Sequence, residues 1–171
     1  INLDVSRNNL DGPLPHDLFQ LPNLEILDLH GNGFGGSLPS ADIDFSSLQF
    51  LALHENTING QIPPTLSNLR SLQHVDLSEN KLDGYIPDLS PLTNMRYMFL
   101  AENNLSTGTI PKFVFDFANL QELSLKNTNR VGPMLTNFGQ LANLVVLDLD
   151  NNNLTGDIPA EIQYLQNLEF L

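Results

Sequence analysis

The sequence predicts an α/β solenoid, a column of short stacked units built on a parallel β-sheet, and three observations predict it. Asn recurs about every 24 residues, at Asn8, Asn32, Asn56, Asn80, Asn103 and Asn152, with Thr128 in the one missing slot. Gly follows four residues later at Gly12, Gly36, Gly60, Gly84, Gly132 and Gly156, and five later at Gly108. An aliphatic residue plus Pro closes most units: Leu14-Pro15, Leu38-Pro39, Ile62-Pro63, Ile86-Pro87, Ile110-Pro111 and Ile158-Pro159. A fixed period in this range denotes a stack in which each unit buries its apolar face against the next, so the core is a column.

The unit that begins at Leu48 shows why each element forms. Leu51 and Leu53 alternate with outward residues, which predicts a strand of about three to five residues with two leucines facing in. Strands that recur one unit apart in the same direction pair in parallel at roughly 4.8 Å, so six to seven of them make a ribbon of roughly 30 Å. Asn56 ends the strand at a sharp bend, where its amide can satisfy backbone groups that the turn leaves unpaired. Gly60 permits a backbone conformation closed to other residues, and Pro63 fixes φ and ends pairing. Leu66, Leu69 and Leu72 then return at a spacing that suits a 3₁₀ turn rather than an α-helix. Leu48, Leu51, Leu53, Ile58, Ile62, Leu66 and Leu69 face inward. Ordering the unit offsets most of what that burial contributes, so a single unit does not fold and a stack does.

The pattern Leu-x-x-Leu-x-Leu-x-x-Asn-x-Leu-x-Gly-x-Ile-Pro resembles the plant-type leucine-rich repeat, over essentially the whole chain. The resemblance implies a right-handed horseshoe with a concave parallel β-sheet and a convex side of mostly 3₁₀ and irregular structure. Similar proteins are ectodomains of receptor-like kinases and receptor-like proteins, and secreted inhibitors of cell-wall hydrolases such as polygalacturonase-inhibiting proteins. It therefore implies an extracellular or cell-surface glycoprotein that binds a protein or peptide ligand on its concave face, with a co-receptor as a further partner. The alternatives are the hydrolase inhibitor and a structural spacer. Ice binding, known from similar repeats, wants a flat regular row of Asn or Thr, and the outward rows are mixed and charged. Residues 1–171 read as one segment of about seven units of 23–25 residues. Ile1-Asn2-Leu3 starts inside a unit, and Leu168–Leu171 stops inside another without a polar cap, so the expectation is a piece of a longer protein.

Charge narrows the partners. Asp and Glu number 20 against 7 Lys and Arg, a net charge of −13. That argues against nucleic acid and anionic lipid, and leaves a basic protein, a cationic peptide or a neutral ligand. There are no cysteines, which excludes a disulfide framework and any Cys-ligated metal site. No nucleophile elbow, Gly-rich phosphate loop or His-Glu-x-x-His run occurs. The expectation is a binding protein with no catalytic residue, metal or cofactor.

Departures from the pattern mark the individual units. The unit from Met95 carries an extra residue at Ser106-Thr107-Gly108, and the unit from Leu72 is one short after Pro87, which predicts a tighter outer turn. In the unit from Leu120, Thr128 replaces the repeated Asn, Arg130 takes an aliphatic slot and Met134-Leu135 replaces the Ile-Pro pair. Arg is almost never fully buried unless paired, so Arg130 is expected to swing outward. Asp42 stands in a Leu slot, with Ile43 expected to turn inward for it. Asn104 and Asn153 head two glycosylation sequons at exposed positions, although Asn-Asn-Leu-Ser/Thr arises from the repeat grammar itself.

The outward strand positions hold the candidate chemistry. One row reads Asn2, Ile26, Phe50, His74, Tyr97, Glu122, Val146, and the next reads Asp4, Asp28, Ala52, Asp76, Phe99, Ser124, Asp148. Phe50, His74, Tyr97 and Phe99 fall on three neighbouring strands, as anchors for a peptide side chain or a sugar face. The simpler role for such rings is cross-strand stacking. Beside them His30 and His54 share one position on adjacent strands, close to Asp28 and Asp76. This grouping suits a pH response better than a metal site.

Overall fold

The computed structural model describes residues 1–40 and 47–171; the expected Asp42 and Ile43 exchange lies outside the described residues. Seven three-residue strands, Asn2–Asp4, Ile26–Asp28, Phe50–Ala52, His74–Asp76, Tyr97–Phe99, Glu122–Ser124 and Val146–Asp148, form one parallel sheet in chain order. Its register places Phe50 opposite His74, His74 opposite Tyr97, and Asp76 opposite Phe99, so the outward rows run as the sequence predicts. The inward middle residues Leu27, Leu51, Val75, Met98, Leu123 and Leu147 are buried, as are all seven inward side chains of the unit from Leu48.

The other side of the column carries 3₁₀ turns at His16–Gln20, Pro64–Asn68, Lys112–Asp116, Thr136–Gln140 and Ala160–Tyr164. Each follows an extended residue, Pro15, Pro63, Pro111 and Pro159 in four cases, and Leu135 takes the same conformation where Pro is missing. The unit shortened after Pro87 forms no 3₁₀ turn, although Leu89 and Leu92 stay buried. Among the described residues no helix is long and apolar enough to cross a membrane.

A second sheet on the flank was not legible in the sequence. Asp11–Pro13, Gly33–Ser37, Thr57–Gln61 and Lys81–Asp83 pair in parallel, and Val131–Pro133 pairs separately with Asn153–Thr155. The break falls at the unit with the extra residue, where Gly108 makes only a single bridge to Arg130. Six of the seven repeated glycines, all but Gly108, sit in or beside this flank sheet with φ between 70° and 86°, as at Gly60 and Gly84.

The repeated Asn side chains tie each unit to the one before. Asn56 Nδ2 donates to the carbonyls of Leu53 and His54 in its own loop and of Leu29 in the previous unit, while its Oδ1 accepts the Phe34 N–H. The same pattern recurs at Asn32, Asn80, Asn103 and Asn152. The residue just before the Asn, or before Thr128 in its place, is left-handed in every unit: Arg7, Gly31, Glu55, Glu79, Glu102, Asn127 and Asn151, with φ from 48° to 64°. Only Gly takes this conformation without steric cost. Glu79→Gly is therefore expected to stabilise the chain by about 0.5–1 kcal/mol in urea unfolding.

Arg130 corrects the expectation that it swings outward: it is only 2% exposed. Its Nε and Nη2 donate to the Thr128 carbonyl at 2.9 and 2.7 Å, Nη1 to Thr109 O at 3.4 Å, and Nη2 also to Ser106 O. Burial holds the guanidinium below its ordinary pKa. The extra residue of the preceding unit and the Arg are thus one feature. The loop Ser106–Thr109 turns carbonyls toward the slot, and at Gly108 a Cβ would stand 3.0 Å from Arg130 Nη1. Gly108 accordingly serves a close approach, unlike the left-handed glycines of the other units.

Candidate functional site

The sheet brings Phe50, His74, Tyr97 and Phe99 together as one half-buried patch. The Phe50 and His74 rings stack with centroids 4.2 Å apart and planes 17° off parallel. Tyr97 and Phe99 lie tilted beside His74, at 5.6 and 5.7 Å. Parallel register fixes these spacings, since neighbouring strands hold side chains of one row about 4.8 Å apart. Ring stacking thus organises the patch, and its half-exposed faces remain open to a ligand.

Two flanking residues escaped the sequence reading. The Tyr97 hydroxyl donates to Gln121 Oε1 at 2.6 Å, and Arg96 Cζ lies 5.9 Å from the Tyr97 ring centre. These contacts fix the one ring that carries a polar tip. The signal was available: Gln49, Gln73, Arg96 and Gln121 form a long-side-chain column one position before the aromatic row.

Packing among the rings removes His74 from water, and this desolvation lowers its pKa from 6.5; Asp76 raises it, His54 lowers it and Asp28 raises it in lesser measure. His74 is therefore neutral at pH 7. Where the folded pKa lies below the unfolded one, the unfolded chain binds the extra proton. Stability is full above the unfolded value of 6.5 and falls as pH drops through that window toward the lowered folded value. His74→Phe keeps a ring in the stack and removes the titration. Urea midpoints measured from pH 7.5 to 5 are expected to fall less in this variant than in the parent; equal falls would contradict the assignment.

The His30 and His54 rings also stack, 4.3 Å apart and 10° off parallel. Arg7 Nε donates to His30 Nε2 at 3.1 Å, which makes that nitrogen the acceptor and places the ring proton on Nδ1. His30 Nδ1 then faces Asp28 Oδ1 at 2.6 Å. His54 Nδ1 lies 3.1 Å from Asp76 Oδ2, without the alignment of a hydrogen bond. Asp28 and Asp76 also accept the His30 and Ser78 backbone N–H groups through Oδ1, so both carboxylates shape their turns. The Arg7 bond to His30 joins adjacent units and is not visible in the sequence.

At the far edge Lys126 Nζ lies 4.0 Å from Glu102 and 3.5 Å from Asp150, and Ser124 Oγ donates to Asp148 Oδ2 at 3.1 Å. The acidic row is thus partly compensated there, while Glu55 and Glu79 remain exposed nearer the rings. The sequon residues Asn104 and Asn153 are both exposed.

The sequence profile described as Leucine Rich Repeat matches residues 1–21, 23–42, 47–69, 71–91 and 143–165. No curated protein matches the sequence. Among solved structures, the Arabidopsis receptor kinase HAESA, in complex with the peptide hormone IDA and the co-receptor SERK1, is 35% identical with a TM-score of 0.95, covering 99% of this chain and 29% of that one. The plant peptide hormone receptor RGFR1 in complex with RGF2 is 33% identical with a TM-score of 0.91, covering 99% and 27%. A plant ice-binding protein is 28% identical with a TM-score of 0.77, covering 92% and 50%. The chain thus spans less than a third of the two receptor chains.

Proposed function

The chain belongs to the plant-type leucine-rich-repeat family, and from that premise we propose that it is a segment of an extracellular receptor ectodomain whose concave face binds a peptide or protein. The observation that carries this reading is the stacked Phe50–His74 pair with Tyr97 and Phe99 beside it. Rigid, half-exposed rings on a sheet lose little entropy when a ligand covers them, which is why aromatic clusters act as anchors. Relatives bound to peptide hormones support a ligand of that size, and a relative bound to a co-receptor supports a second protein partner. The acidic concave rows favour a ligand that carries basic residues near its apolar anchor. His30, His54, Asp28 and Asp76 form the adjoining polar half of the surface. In this reading the chain binds and does not catalyse, and Asn104 and Asn153 carry glycans on the secreted protein.

Selection of a displayed library of random linear peptides on the immobilised chain tests the assignment. Binders are expected to lose at least about a hundredfold in affinity on the combined Phe50→Ala, Tyr97→Ala and Phe99→Ala variant. Binders that keep their affinity on that variant would place recognition elsewhere.

A further inference from the structure

Among the described residues, the convex side has a gap in its run of turns. The unit from Leu72 lacks its 3₁₀ turn, so the next turn, Lys112–Asp116, has no matching turn beside it on that side. The space is an open groove of about 630 Å³ whose lining includes Ile86, Phe113 and Phe115 together with Asp88, Asp116 and Gln140. That volume suits a small group of side chains.

The next turn is altered to match. Phe113 stands where the other turns carry Asp17, Thr65, Asn137 and Glu161. Its ring lies 5.7 Å from Phe117, and Phe115 meets Phe138 edge-on at 5.0 Å, so both half-buried rings are rooted in the core. A shortened unit and a phenylalanine in an otherwise polar slot thus converge on one groove. Its rim holds two exposed carboxylates, Asp88 and Asp116, against one ammonium, Lys112. The backbone N–H of Ser90 donates to Asp88 at 2.9 Å and lowers its pKa, which keeps that carboxylate charged. An apolar floor under an acidic rim, in a chain of net charge −13, selects against a second copy of this chain and for a basic segment.

We propose that this groove docks a segment of a partner protein that lays a leucine or phenylalanine side chain on Phe113 and Phe115 and a lysine or arginine against Asp88 and Asp116. The site lies off the concave face and does not depend on the ligand proposed there. The test is a titration of the isotope-labelled chain, followed by amide NMR, with a capped hexapeptide of alternating Lys and Leu. Glu-Leu and Lys-Ser hexapeptides serve as controls. The expected result is saturable shifts at Asp88, Ser90 and Phe113–Asp116 with the Lys-Leu peptide alone. Binding is expected to weaken about fivefold in Asp88→Asn/Asp116→Asn and in Phe113→Thr, the residue found at Thr65 in an equivalent turn. Shifts confined to the concave strands, equal shifts with either control, or unweakened variants would overturn the proposal. Dilution-dependent shifts at these amides without peptide would assign the groove to a second copy and overturn it equally.

Discussion

Asn103→Ala is expected to destabilise the chain by about 4 kcal/mol, and Asn80→Ala by only about 2 kcal/mol, although both occupy the same repeat position. The difference follows from who else bonds the affected groups. Asn80 shares each of its buried carbonyls with a neighbouring Asn: Asn56 also reaches Leu53 O, and Asn103 also reaches Leu77 O. Its loss orphans chiefly the Ile58 N–H that its Oδ1 accepts. Asn103, 5% exposed, has no such support on its far side, because Thr128 Oγ1 bonds only Leu125 O in its own loop. Removing Asn103 therefore strands both the Leu82 N–H and the Leu100 carbonyl, at about 1–3 kcal/mol each. Urea unfolding of the two variants measures the difference directly. Equal losses would show that the bonds are worth the same in every unit and that the break at Thr128 has no local cost.

Arg130→Ala is the second large effect, a loss of about 4 kcal/mol. The truncation empties a buried slot and leaves the Thr128, Ser106 and Thr109 carbonyls without the guanidinium that bonds all three. Arg130→Lys is expected to recover no more than about half of this, since an ammonium lacks the planar fork that reaches separate carbonyls at once. Arg130→Leu combined with deletion of Thr107 restores the grammar of the regular unit and is expected to recover most of the loss. If Arg130→Leu alone is as stable as the parent, the carbonyls of the extra-residue loop do not need the Arg.

The stack itself was legible because its causes are local and repeated. Strand, Asn bend, Gly and 3₁₀ turn each follow from residues within one period, and the outward rows follow from counting. The same counting placed Phe50, His74, Tyr97 and Phe99 on neighbouring strands. What it could not supply were contacts between different positions of adjacent units. Arg130 is buried because the previous unit has one residue too many, and a rule about isolated arginines does not see the carbonyl acceptors that this supplies. The tilt of Tyr97 toward Gln121, the Arg7 bond to His30 and the flank sheet are likewise inter-unit facts. The left-handed residue before each Asn was hidden for another reason: Glu55, Glu79 and Glu102 carry no sequence signal for positive φ.

Hydroxyl-radical footprinting, with and without a peptide selected on the immobilised chain, tests the concave-face assignment most directly, because aromatic and imidazole side chains report their own exposure. Binding is expected to protect Phe50, His74, Tyr97 and Phe99, with Tyr85, off the concave strands and 72% exposed, unchanged as an internal control. A bound peptide that leaves those four side chains as reactive as in the free chain would contradict that assignment.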